Sequence, residues 1–307
     1  MEHNHYYAVY SSFTTVCEVY RMLRALLEGC HLGIYSYIKP GGVHRLRLSE
    51  APFNMMSSCI GAIEFIEKAL SYGELVRKGS LAAGGIELGK LLSKALRESY
   101  IWTNYKVYPD IVIPTVVNAL ILSHTEPESI LRNMSNLRKS LAAFVGGSRW
   151  RDVREVINAL RAVGREDVVD HASSYGISPA KGFIEEVSLE EFFKVLGSKW
   201  PGFLAICSKE DVLYNGVKAA LEYYEKYRDA NSAAIATYIE LVNPRLPEWA
   251  KQEAAEALRK GLMTTREGAS VLFRLDQRLM KEGFSFDEYV PLLASVMQLA
   301  IYEGMRI

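Results

Sequence analysis

The stretch FTTVCEVYRMLRALLEGCHLG, residues 13–33, sets the fold class. It opens on capping candidates, Thr14 and Thr15 after two serines, and carries Val19, Met22 and Leu26 at three- and four-residue spacing. That spacing places one apolar stripe along a helix. Gly29 and Gly33 read as stop signals. The same grammar recurs in NMMSSCIGAIEFIEKALSYG (54–73), which ends at Gly73, and in GIELGKLLSKALRESYIW (85–102). In DIVIPTVVNALILSH (110–124), Pro114 reads as a first-turn proline. TEPESILRNMSNLRKSLAAFVGG (125–147) begins on a Thr-Glu-Pro-Glu start signal, and the pattern continues to SFDEYVPLLASVMQLAIYEGM (285–305).

Strand signals are few. GFLAIC (202–207) reads as an extended run or a buried helical turn, the second at least as well as the first. The expectation is an all-α chain of about a dozen helices with short Gly- and Pro-marked connections. Residues 1–307 form one domain or two docked halves, whose boundary would fall in SSYGISPAKGFIEEVS, 173–188. No period of solenoid length repeats.

Composition narrows the function classes. The chain has 307 residues, 49% hydrophobic and 23% charged, with 36 basic against 36 acidic side chains and a net charge of +0. A duplex-binding protein usually shows a basic excess or stripe, so nucleic acid is not the expected partner. The longest apolar run, from Ile111, is interrupted by Pro114 and Asn118 and falls well short of the roughly 20 residues of a membrane span. No basic and apolar leader opens the chain. Cys17, Cys30, Cys59 and Cys207 lack ligand spacing and read as free thiols. The expectation is a cytoplasmic protein.

Two stretches can carry chemistry. In YIKPGGVHRL (37–46), Pro40 fixes its own φ, while Gly41 and Gly42 permit positive φ and uncover backbone amides. Such amides form anion-binding concavities. Lys39 and Arg45 bracket the concavity, with His44 between them. The alternative is a plain turn with solvated bases. In WTNYKVYPD (102–110), Asn104 can bond a polar ligand, Lys106 can meet a phosphate, and Asp110 is a helix cap or a magnesium ligand. The alternative puts the aromatics in the core. His3 and His5 lack metal partners, and Glu64, Glu67 and Glu87 read as surface carboxylates. No nucleophile elbow, Walker-type loop or zincin motif is present.

The order of these pieces resembles the triphosphoribosyl-dephospho-CoA synthase family, in particular its divergent archaeal-type members. The family's early Lys-Pro-Gly-x-Val-Asp element is matched by Lys39-Pro40-Gly41-Gly42-Val43-His44. Its Asn-Thr-rich element before an apolar helix is matched in place by Thr103-Asn104-Tyr105-Lys106-Val107. Its C-terminal Ser-Pro-Gly segment is matched by Ser285 and Leu292-Leu293-Ala294. The chain departs from the family where His44 replaces an acid, Val107 replaces a glycine, and Pro291 stands at the C-terminal acidic position with Asp287 four residues before it.

The resemblance implies an all-α transferase that moves a triphosphoribosyl group from ATP to the 2′-hydroxyl of dephospho-CoA and releases adenine. It implies Mg2+ on the triphosphate and carboxylates near a cationic ribosyl centre. Carried onto this chain, Lys39, Gly41, Gly42, Arg45 and Ser285 bind substrate, Asn104, Lys106 and His44 act at the reacting centre, and Asp110 and Glu87 hold the metal. The competing expectation is a helical nucleotide-binding or scaffold protein that kept the fold without catalysis.

Overall fold

Two helices of this chain have no polar face. In the computed structural model, which describes residues 3–125, 129, 134–178, 182 and 184–307, with side chains from Glu18 onward, these two are the centre. The helix Val290–Tyr302 is buried along its entire length, and Pro109–Thr125 is buried except at His124. A helix apolar all round must be enclosed by others, and the amphipathic helices supply the enclosure.

In chain order the helices are α1 (His3–Tyr35), α2 (Ala51–Gly61), α3 (Ile63–Arg77), α4 (Leu88–Trp102), α5 (Pro109–Thr125), α6 (Met134–Leu141), α7 (Trp150–Ala162) and α8 (Glu166–Ser174). They continue as α9 (Leu189–Gly197), α10 (Val212–Tyr227), α11 (Ala230–Val242), α12 (Glu248–Arg259), α13 (Arg266–Lys281) and α14 (Val290–Tyr302). No strand occurs among the described residues, so the chain is all-α. GFLAIC takes its helical alternative, within a 3-10 turn at Pro201–Ile206. No described helix is long and apolar enough to cross a membrane.

α1 lies along α14, and the contact explains two glycines. Gly29 and Gly33 are not stops, because α1 runs on to Tyr35. A Cβ on Gly29 would sit 2.3 Å from Gln298 Cα, and one on Gly33 would sit 2.5 Å from Ala294 Cα. Residues four apart share a helix face, so the two helices meet backbone to backbone there. Gly73 is likewise internal to α3, packed on the Leu120 carbonyl of α5. The 54–73 stretch is two helices, broken at Ala62.

Pro114 is interior to α5, and the first-turn proline is Pro109. Having no N–H, Pro114 leaves the Asp110 carbonyl without its helical donor. The Pro201–Ile206 turn approaches that carbonyl, and a Cβ on Gly202 would lie 2.6 Å from it. Between α1, α5 and α14 the core holds one polar knot. Gln298 Nε2 donates to Thr115 Oγ1 (2.8 Å) and Cys30 Sγ (3.1 Å), and Asn118 Nδ2 donates to Gln298 Oε1 (2.8 Å). Cys30, Cys59 and Cys207 are buried free thiols.

The Thr-Glu-Pro-Glu start signal falls mostly outside the described residues, as do residues 179–181 and 183 of the 173–188 boundary stretch. On either side of that stretch α8 and α9 pack together. Buried apolar side chains from Met22 to Met305 join in one core cluster.

Candidate functional site

Lys39-Pro40-Gly41-Gly42 forms a tight turn closed by the Gly42 N–H donating to the Lys39 carbonyl at 2.9 Å. Pro at the second position and Gly41 at φ +71° at the third are the type II pattern. The Gly41 amide does point at an anion, but the anion belongs to the protein. It donates to Asp276 Oδ1 at 2.9 Å, and the other oxygen, Oδ2, lies 3.3 Å from His44 Nε2. His44 Nδ1 accepts from the Leu46 N–H at 3.2 Å, so Nε2 carries the proton given to Asp276. Asp276 and His44 are both buried.

Aromatics close the rest of the corner. The Phe286 N–H donates to the Gly41 carbonyl (2.8 Å), and the Tyr238 hydroxyl donates to the Phe286 carbonyl (3.2 Å). A Cβ on Gly42 would stand 2.2 Å from the Tyr238 hydroxyl oxygen. Lys39 is 0% exposed, and its ammonium donates to Ile34 O (2.8 Å), Ser36 Oγ (2.9 Å) and Ser36 O (3.4 Å). Burial pushes its pKa well below the ordinary lysine value, against the attraction of Asp287.

The corner expected to grip a phosphate is therefore filled from within, which corrects the roles read for Lys39, Gly41, Gly42 and His44. Arg45 is exposed, its guanidinium 5.4 Å from the Tyr37 ring centroid. Ser285 is exposed. Asn104 and Lys106 sit on an exposed turn, where Lys106 pairs with Glu50. Glu87 lines a different cleft and pairs with Lys90 (2.7 Å) and Arg151 (3.0 Å), so it does not join Asp110.

Asp110 does occupy a cleft. A cavity of about 280 Å³ opens beside Val43, the residue that follows the Lys39–Gly42 turn. Val43 comes from the turn, Ala51 and Met55 from α2, and Tyr108 and Asp110 from the start of α5. Asp287, Glu288 and Pro291 come from the entry to α14. The three stretches singled out in the sequence thus meet here, through Asp110 and otherwise through neighbours of the residues first chosen. Arg165 and Trp200 complete the wall.

The groups are held firmly. Arg165 meets Asp167 with two parallel bonds, Nε to Oδ1 at 2.8 Å and Nη2 to Oδ2 at 3.0 Å, and Nη1 donates to Val107 O at 3.3 Å. Its guanidinium lies 5.9 Å from the Trp200 ring centroid. Asp287 accepts from Arg47 Nη1 at 3.1 Å. The Tyr108 N–H donates to Ser58 Oγ at 3.0 Å, fixing the start of α5.

Burial raises the Asp110 carboxyl to a pKa of about 6, opposed by the Arg165 charge. Burial also raises Glu288 and the Tyr108 phenol, and Asp110 and Asp287 add to the shift at Tyr108. A carboxyl with a pKa near 6, facing a second acid and a fixed guanidinium, can exchange a proton at neutral pH.

Asp110, Asp287 and Glu288 offer the oxygen donors a hard cation prefers. No group of three or more acidic, His or Cys residues with metal-holding geometry occurs among the described residues. The donor set fits magnesium in the form that uses one or two carboxylates together with substrate phosphates. Sequence reasoning missed Arg165, Trp200, Asp276 and Tyr238. Only Trp200-Pro201-Gly202 carried a local signal, an aromatic beside a helix-breaking pair. No protein-family model, curated protein or solved structure matches the chain.

Proposed function

We propose that this chain is a nucleotide-dependent transferase of the triphosphoribosyl-dephospho-CoA synthase type, with its reacting centre in the Asp110–Asp287 cleft. One observation carries the reading. Val43 of the first family-like element, Tyr108 and Asp110 directly after the second, and Asp287 and Pro291 in the third, distant in sequence, line a single cleft with carboxylates and an anchored arginine. At about 280 Å³ the cleft lies just under the range of roughly 300–1,000 Å³ for ligand pockets, so it takes the ribose and adjoining phosphates and leaves the rest of both substrates outside.

Asp287 and Glu288 are the residues that would hold magnesium, which when bound neutralises triphosphate charge. Arg165 has committed three of its five N–H groups and keeps two for phosphate oxygen. The carboxylates face the positive charge that develops at the ribose C1′. Asp110 takes the proton of the acceptor hydroxyl as its oxygen bonds to C1′. The C1′–N9 bond breaks, its electron pair leaves with adenine, and the proton passes from Asp110 to adenine.

The test is adenine release from ATP with dephospho-CoA and magnesium. Wild type should release adenine, and Asp110→Asn should lower kcat by a factor on the order of 10²–10⁴, the usual loss for a general base. No adenine from wild type, or an undiminished rate in the variant, counts against the reading.

A specific observation favours a second reading, a helical protein that binds without catalysis. The lysine and the glycine amides expected to hold phosphate are consumed internally, Lys39 by Ile34 and Ser36, the Gly41 amide by Asp276 and the Gly42 amide by the Lys39 carbonyl. Under that reading ATP binds without turnover, or not at all.

A further inference from the structure

The face of α2 away from the cleft and the end of α4 both expose large apolar side chains. Phe53 is 67% exposed and Ile60 50%, one face of α2, while Ile101 is 64%, Trp102 67% and Tyr105 65% at the end of α4. These side chains form one patch. A Cβ on Gly61 would touch Trp102 Cβ at 3.1 Å, which sets Trp102 beside Ile60. The Lys106–Glu50 ion pair ties the turn after α4, which carries Tyr105, to the residue before α2. Ser99 Oγ donates to the Ser58 carbonyl at 3.0 Å and locks the two helices between those points.

The turn that presents Tyr105 is strained. Asn104 and Tyr105 are consecutive non-glycine residues at positive φ, +47° and +71°. Such backbone costs on the order of 1–3 kcal/mol per residue and persists where the surroundings enforce it. Here it holds the Tyr105 ring edge-on to Tyr100, with centroids 5.0 Å apart, and largely exposed.

We propose that this face, Phe53, Ile60, Ile101, Trp102 and Tyr105, is the contact between two copies of the chain related by a two-fold axis. Area supports a second copy. Five such side chains, half to two-thirds exposed, present on the order of 600 Å² of apolar surface, most of the roughly 800 Å² per partner of a standard interface. Charge supports it as well. The chain is neutral overall, Lys106 pairs with Glu50, and Glu98 accepts the Trp102 indole N–H at 3.1 Å. A two-fold axis sets identical patches against each other, and the Lys106–Glu50 pair leaves no net charge at that edge of the patch. The active cleft opens from the inner side of α2, at Ala51 and Met55, and stays clear of the contact.

Sedimentation velocity of the full chain from about 1 to 100 μM tests this, beside the single variants Phe53→Glu and Ile60→Glu. Both positions are exposed enough to leave folding intact, which far-UV circular dichroism checks. Wild type should sediment at twice the mass of one chain, and each variant should raise the dissociation constant at least tenfold. A monomeric wild type over the whole range overturns the proposal. So does a dimer that both folded variants retain, which places the interface elsewhere. A monomer that co-sediments with phosphatidylcholine vesicles also overturns it and assigns the face to a lipid surface.

Discussion

At the scale of single residues, one turn separates an internal contact from a reactive one. Asp276 is buried against the Gly41 amide and His44, so it stands in for the phosphate that the turn would otherwise take. Asp276→Ala should destabilise the fold by about 2–4 kcal/mol, since it strands a buried amide and imidazole together. Chemical denaturation reads the loss. Lys39→Ala should cost a similar amount, because it empties a buried volume and orphans the Ile34 carbonyl.

Asp110 is the opposite case. Its carboxyl has a pKa of about 6 in the fold and 3.8 ordinarily, so the ionised form weakens the fold above pH 6. The penalty shrinks as pH falls through 6 and is gone near pH 4. Asp110→Asn should therefore stabilise the protein by about 2–3 kcal/mol at pH 7.5, with the gain vanishing toward pH 4. Denaturation at both pH values checks it. A residue whose removal strengthens the fold is retained for another reason, and proton transfer in the cleft is the one proposed.

At the scale of elements, the helical pattern was legible because it depends only on neighbours three and four residues apart. Gly29, Gly33 and Gly73 were misread as stops for the converse reason. A packing glycine and a terminating glycine look alike until the partner backbone arrives, and for Gly29 that partner is in the last helix. Gly29→Val should destabilise the protein by more than about 2 kcal/mol through forced separation of α1 and α14. Thermal melting measures this, and Gly79→Ala, whose Cβ meets nothing within 4 Å, is the comparison that separates packing from backbone strain at a positive φ. Pro114 reads from the sequence as a first-turn proline, whereas the observed α5 starts at Pro109 and encloses Pro114.

At the scale of the whole molecule, the site was legible as segments and, among the chosen residues, at Asp110 alone. The three stretches were found because turn-forming Gly and Pro, polar residues and apolar helices follow one another in a recognisable order. Which side chains of each stretch face the cleft depends on the rotation of α2, α5 and α14 about their axes, which only the assembled core sets. The turn therefore contributes Val43 in place of Lys39, the α5 entry contributes Asp110, itself a metal-ligand candidate in the sequence, without Asn104 or Lys106, and the α14 entry contributes Asp287 in place of Ser285. Arg165 and Trp200 enter from segments with no chemical signature of their own, held by Asp167 and by the Pro201–Ile206 turn.

The most direct measurement is calorimetric titration of ATP, with and without magnesium, into wild type, Asp287→Asn and Arg45→Ala. The acidic cleft predicts magnesium-dependent binding that Asp287→Asn weakens at least tenfold and that Arg45→Ala, at an exposed position outside the cleft, leaves unchanged. No binding at millimolar ATP, or binding that Arg45→Ala abolishes and Asp287→Asn does not touch, would contradict it.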